Sequence, residues 1–271
     1  MTLGKRWSAP FIIMIIAGTV IPICSIAYYG FTSRAGGFTF DNITAMFEHE
    51  HLQALWLSLL LAFVSTLICL ILAFPMAMIL RDSKYGKQGF MVFVFILPMW
   101  MNFLLRTMAW QVLLERNGVI NSFLGALGLP KQHLMNTPGA IVLGMVYDFL
   151  PFMILPIYNV VSKIDNNLIE AAYDLGAKKA YVYRRVILPL SIPGIVSGIT
   201  MVFIPALTTF VISNMLGGGK INLIGNIIEQ EFTVNSNWYL GSGLSLVMMI
   251  FIIISMLLLN KFDKTGESSF I

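Results

Sequence analysis

The stretch ALWLSLLLAFVSTLICLILAFPMAMIL, residues 54–80, contains no charged side chain and is bounded by Gln53 and Arg81. A helix needs about 20 apolar residues to cross the hydrocarbon core of a bilayer, so this run is long enough to span it. Apolar runs of such length read as helices rather than barrel strands, whose signature is alternation over about ten residues. Outward from it, five further runs qualify: 9–31, 191–214 and 239–259 carry no charge, 90–114 carries only Arg106, and 139–161 only Asp148. The expectation is an all-α polytopic membrane protein with six transmembrane helices.

Composition agrees. Of 271 residues, 58% are apolar and 11% charged, against about 25% charged in soluble domains. A water-soluble fold of this length cannot hide that much apolar surface, whereas lipid solvates it. Cys24 and Cys69 sit inside apolar runs without metal-ligand spacing and read as small buried hydrophobes. No linker, low-complexity tract or clear repeat divides the chain, so 1–271 reads as a single transmembrane domain.

The loops set an orientation. With the N-terminus inside, the cytoplasmic segments hold twelve basic residues (Lys5, Arg6, Arg81, Lys84, Lys87, Lys163, Lys178, Lys179, Arg184, Arg185, Lys261 and Lys264), and the outer segments hold four (Arg34, Arg116, Lys131 and Lys220). This obeys the positive-inside rule and puts both termini in the cytoplasm. The net charge of +4 is thereby a membrane signature, not a nucleic-acid one. Lys5 and Arg6 ahead of an apolar run also fit a signal peptide, but the run exceeds the usual 7–15-residue signal core and reads as a retained span. In the outer segment 34–53, Asp41-Asn42 reads as a helix N-cap before Ile43. After Gly217-Gly218-Gly219, the spacing of Ile221, Ile224, Ile227 and Ile228 predicts a helix over 221–232.

The inner loop 162–190 carries the most specific pattern. Asp165 can cap a short helix through Leu168, Ile169, Ala171 and Ala172, and Gly176 stands where it would stop. A basic amphipathic stretch follows, with Lys178, Lys179, Arg184 and Arg185, and Pro189 and Pro193 mark entry into the fifth span. Physics alone gives a helix–turn–helix against the inner membrane face, either an inert connection or a docking site.

Glu170-Ala171-Ala172, three residues, Gly176, nine residues, then Val186-Ile187-Leu188-Pro189 resembles the EAA loop of bacterial ABC importer permeases, with Val186 where Ile is common. The resemblance implies the type I ABC importer permease fold and a coupling helix seated in a groove of an ATP-binding subunit. Glu170, Ala171 and Ala172 would lie at that interface, with Gly176 and Pro189 architectural. Further residues are similar to polyamine permeases of the PotB type: Leu97-Pro98-Met99-Trp100-Met101-Asn102, Leu105-Arg106, Val146-Tyr147, Leu150-Pro151-Phe152-Met153, the run 168–176, Gly217-Gly218 and Leu223-Ile224-Gly225-Asn226. They imply a spermidine/putrescine importer in a bacterial inner membrane. Its parts would be this chain, a second homologous permease, two ATPase subunits and an external polyamine-binding protein. ATP and magnesium would bind in the ATPase, and this chain would need no cofactor.

The chain itself shows no phosphate-binding loop, since Gly86-Lys87 and Gly219-Lys220 lack the glycine spacing and the following Ser or Thr. It has no nucleophile elbow, so no enzyme is expected. His49-Glu50-His51 reads as an incidental pair in an outer loop, and no metal site is expected.

Charges within spans usually face protein or water. Arg106 and Asp148 are either a structural pair between the third and fourth spans or, for Asp148, a carboxylate for a passing cation. Trp100, Trp110 and Tyr147 can supply ring faces to such a cation or act as interfacial anchors. Thr208, Thr209 and Ser213 form a polar stripe that lines a pore or bonds neighbouring helices. Two other readings stand beside the leading one: an ABC permease for another small solute such as an iron complex, and a secondary transporter. The latter leaves the EAA-like loop unexplained.

Overall fold

The charge-free run at Ala54 lies inside a 34-residue helix, His49–Asp82. The computed structural model describes residues 13–83 and 90–267. In chain order the helices are α1 (Ile13–Gly30), α2 (Asp41–Thr44), α3 (His49–Asp82), α4 (Phe90–Trp100), α5 (Phe103–Leu114), α6 (Val119–Ala126), α7 (Pro138–Val161), α8 (Asn166–Asp174), α9 (Lys179–Thr208), α10 (Val211–Leu216), α11 (Ile224–Thr233) and α12 (Trp238–Glu267). Lys5, Arg6, Lys84 and Lys87 lie outside the described residues.

Five helices, α1, α3, α7, α9 and α12, are each long and apolar enough to cross a bilayer, and α4 with α5–α6 meets the same requirement as a pair bent by 91°, the sixth span when the pair is counted as one. The expected third span, 90–114, is therefore two helices. Pro98 gives α4 no N–H for the Val94 carbonyl. Asn102 then starts a new helix as its N-cap, its Oδ1 accepting from the amides of Leu104 at 2.8 Å and Leu105 at 3.4 Å.

The fifth span also differs from the expected 191–214. Pro189 and Pro193 do not separate the amphipathic stretch from the membrane helix. α9 starts at Lys179 and runs on through a π-turn at Tyr183–Ile187, which shifts the hydrogen-bond register ahead of Pro189. At its far end α9 stops at Thr208, because Thr209 is extended (ψ 135°), and α10 resumes after it. Here α11 packs close to the break: a Cβ on Gly225 would stand 2.7 Å from the Thr208 carbonyl oxygen. The helix expected over 221–232 begins three residues later, at Ile224.

α7 forms the centre, with α3 and α9 packed on it and Met145, Met153, Ile154 and Ile157 fully buried. Lipid tails are as apolar as leucine, so close packing rather than exclusion of water holds such helices together. Gly194 and Gly198 of α9 allow that approach. Cβ atoms there would meet the Pro156 carbonyl oxygen at 2.8 Å and Met153 Sδ at 2.7 Å. α1 lies against α12, and α12 against α9 and α11. Phe63 and Ile71 of α3 stay about 60% exposed, as a lipid-facing surface would. α8 and α11 mark opposite ends of the bundle, since α9 begins next to one and ends next to the other.

At the α11 end, Asp41 is not the N-cap. It opens α2, and its amide donates to Thr39 Oγ1 at 3.1 Å. Asn42 instead ties α2 to the end of α1, its Nδ2 donating to the carbonyls of Gly30 at 3.2 Å and Thr32 at 3.0 Å.

Candidate functional site

α8 stands off the bundle as a short arm with no fully buried residue. Asp165 caps it, Oδ1 accepting from the Asn167 amide at 2.9 Å. Gly176 ends it at φ 79°, the left-handed region that favours glycine, while the Ala177 amide donates back to the Ala172 carbonyl at 3.1 Å. The arm is anchored by Arg81, which in the sequence marks the end of the second span and adds to the inner positive charge. Arg81, 8% exposed, donates from Nη2 to Asn166 Oδ1 at 2.8 Å and to the Ile164 carbonyl at 3.1 Å.

The structure divides the expected interface residues. Glu170 and Ala171 are exposed, whereas Ala172 is half-buried and packs with Ile169 and Ala177 against the core. Leu168, Ala171 and Leu175 recur at helical spacing on the open side, and Leu175 is 90% exposed. Pro189 is half-buried within α9. A cleft of about 470 Å³ opens between Ala172, Leu175, Ala177, Lys178 and Tyr181. An exposed apolar stripe on an anchored helix suits docking against another protein.

Arg106 and Asp148 come together. Arg106 Nε lies 3.3 Å from Asp148 Oδ1, and Thr107 Oγ1 donates to Asp148 Oδ2 at 3.2 Å. Both are buried, 6% and 1% exposed, in the contact between α5 and α7. The contact is ionic more than a well-aligned hydrogen bond, since Arg106 Nε and Nη1 and Asp148 Oδ1 have no hydrogen-bond partner of good geometry. The two charges thus face each other across the contact between α5 and α7.

Trp110 and Tyr147 also meet, edge to face with centroids 5.4 Å apart, against Val142, Val146 and Leu150. Trp100 is apart from them, 76% exposed and touching Phe93. The polar stripe of the fifth span splits as well. Thr208 is exposed and donates to its own helix at Ile204, and Thr209 sits in the break.

Ser213 is buried and bonded to a hub that sequence reasoning missed. Asn226 of α11, fully buried, accepts from Ser213 Oγ at 2.6 Å and the Leu223 amide at 3.0 Å, and donates to the Phe210 carbonyl at 3.1 Å and Asn214 Oδ1 at 2.6 Å. Ser58 of α3 pins the same helix by accepting from the Ile224 amide at 2.9 Å. The sequence signals were an asparagine inside an apolar helical pattern and its place in the Leu223-Ile224-Gly225-Asn226 motif, neither of which shows its partners. Of the histidine pair, His51 is buried with Nδ1 donating to the Ala45 carbonyl at 2.6 Å. Among the described residues no three His, Cys, Asp or Glu come together to hold a metal.

Comparison with known proteins agrees with this architecture. Residues 54–265 match the family described as binding-protein-dependent transport system inner membrane component. The spermidine/putrescine transport system permease protein PotB of Haemophilus influenzae is 37% identical over 240 residues, 85% of this chain and 84% of its own length. PotB of Escherichia coli (strain K12) is 38% identical over 215 residues, 79% of this chain and 78% of its own. Among solved structures, a bacterial ABC transporter involved in import of the acidic polysaccharide alginate superposes with a TM-score of 0.83 at 16% identity, covering 97% of this chain and 95% of that one. The MetNI methionine ABC transporter gives 0.58 at 18% identity, covering 79% and 95%. These two likenesses establish the fold. With the family match spanning α3 to α12 and relatives this similar along most of their length, the chain belongs to the inner-membrane components of binding-protein-dependent transport systems.

Proposed function

We propose that this chain is one of two homologous permease subunits of an ATP-driven importer of polyamines, spermidine or putrescine, in a bacterial inner membrane. The observation that carries the reading is the PotB likeness, 37–38% identity over about four-fifths of the chain. The solute does not follow from the fold, because the alginate and methionine transporters share it.

In this reading α8 is the coupling helix. Its exposed stripe of Leu168, Ala171 and Leu175, with Glu170 beside it, docks on an ATPase subunit, one such subunit serving each permease. ATP and magnesium are held there, and this chain performs no catalysis. The positive-inside balance puts α8 and both termini in the cytoplasm and α11 outside, where a polyamine-binding protein delivers its load. Moving an alternating-access equilibrium from 1:99 to 99:1 takes about 5.5 kcal/mol of differential binding. ATP-driven closure of the ATPase pair, transmitted through α8 and its Arg81 anchor, supplies that bias.

The test is ATP hydrolysis by the assembled complex in liposomes. Spermidine-loaded binding protein should stimulate it. No stimulation by spermidine or putrescine, with stimulation by another loaded solute, would replace the polyamine assignment while keeping the importer.

A further inference from the structure

Between α9, α11 and α12 lies a cleft of about 520 Å³, within the range of small-molecule sites. Its walls are mostly apolar, with one charged residue among them. Phe210, Ile228 and Phe232 line one side and Met248, Met249 and Ile252 the other, with Glu229 and Thr208 at the edge. Glu229 is half-buried as a residue, and its carboxylate is open enough to solvent to accept an exposed hydrogen bond from Thr233 Oγ1 at 2.9 Å. Among the described residues no Lys, Arg or His forms an ion pair with it. A carboxylate at the mouth of an apolar cleft, with no counter-charge from the described residues, is placed to meet a cation arriving from outside the chain.

The chemistry of the cleft narrows that cation. A compact inorganic ion would want several oxygen ligands, and the cleft offers one carboxylate and the hydroxyls of Thr208, Thr233 and Ser245, each already bonded within its own helix, among rings, thioethers and aliphatic carbons. An ammonium group on a methylene chain matches both halves: the charge meets Glu229, the ring faces of Phe210 and Phe232 attract the same cation, and the methylenes lie along the methionine and isoleucine wall. We propose that this cleft receives one end of the transported polyamine, with Glu229 as its counter-charge. The proposal rests on the polyamine reading above and assigns it a place between the broken end of α9 and the helix held by Asn226.

The test uses the full complex, with ATPase, second permease and binding protein, in proteoliposomes. Spermidine uptake is measured against concentration for wild type, Glu229→Gln and Glu229→Asp, with complex assembly followed by size-exclusion chromatography. Glu229→Gln should assemble, keep binding-protein-stimulated ATP hydrolysis, and raise the KM for uptake roughly tenfold, the scale of losing one charge-assisted contact. Glu229→Asp should recover part of the loss. Wild-type uptake retained in full by Glu229→Gln would overturn the subsite and leave the importer intact. Failure of both variants to assemble would overturn it too, in favour of a basic side chain of the second permease as the partner of Glu229. A wild-type complex that moves another solute but no polyamine would overturn both this site and the reading it rests on.

Discussion

Arg81, in the last turn of α3, and Asn166, the first residue of α8, are joined by a 2.8 Å hydrogen bond from Nη2 to Oδ1. The same guanidinium nitrogen holds the Ile164 carbonyl at 3.1 Å, so a membrane-spanning helix directly fixes the start of the arm. Arg81→Ala removes both bonds at a buried position, at a cost of about 1.5–3 kcal/mol. The spans should still insert, while limited proteolysis cuts the loop around α8 faster and less ATPase copurifies. Arg81→Lys should keep one bond and part of the protection.

Ala171 and Ala172 should respond differently to the same substitution. Ala171 is exposed and Ala172 packs on the core. Ala171→Glu should leave thermal stability unchanged and abolish ATPase copurification, since a groove fitted to a methyl must take in a carboxylate. Ala172→Glu should lose the ATPase and lower stability as well, because overpacking costs about 1–3 kcal/mol. Equal melting temperatures for the two variants would mean that the division of the helix faces is wrong.

Gly176 holds φ 79° at the end of α8. A residue with a Cβ costs about 1–2 kcal/mol in that region, less for asparagine. Gly176→Asn should therefore retain more stimulated ATP hydrolysis than Gly176→Val, at equal expression.

Asp148→Asn removes the negative half of a buried pair with Arg106. Leaving one member of such a pair costs about 3–5 kcal/mol. The yield of folded protein should drop, and Asp148→Asn with Arg106→Gln should restore it. A stable single variant with reduced uptake would instead put Asp148 in the substrate pathway.

What could be read from the sequence followed from properties of local segments. Run length and hydropathy belong to the segment itself, so the crossings were legible, as were the Asp165 cap and the Gly176 stop. The breaks were not. Residues 90–114 form one long apolar run with a single charge, Arg106, and only the pairing of Pro98 with a capping Asn102 marks the 91° turn. The stop at Thr208 depends on α11 arriving from later in the chain to pack Gly225 on the break and hand Asn226 to the Phe210 carbonyl. Arg81 and Asn226 act through partners 85 and 12 to 16 residues away, which no spacing rule exposes. Thr208, Thr209 and Ser213 looked like one stripe because they share a sequence neighbourhood, yet the break gives each a different environment.

The most direct measurement of the central claim is spermidine accumulation in proteoliposomes holding the chain, a second permease and the ATPase, with ATP inside and loaded binding protein outside. Wild type should accumulate spermidine only when both ATP and binding protein are present, and Ala171→Glu should accumulate none. Accumulation without ATP, or undiminished accumulation by Ala171→Glu, would contradict an ATP-driven permease coupled through α8.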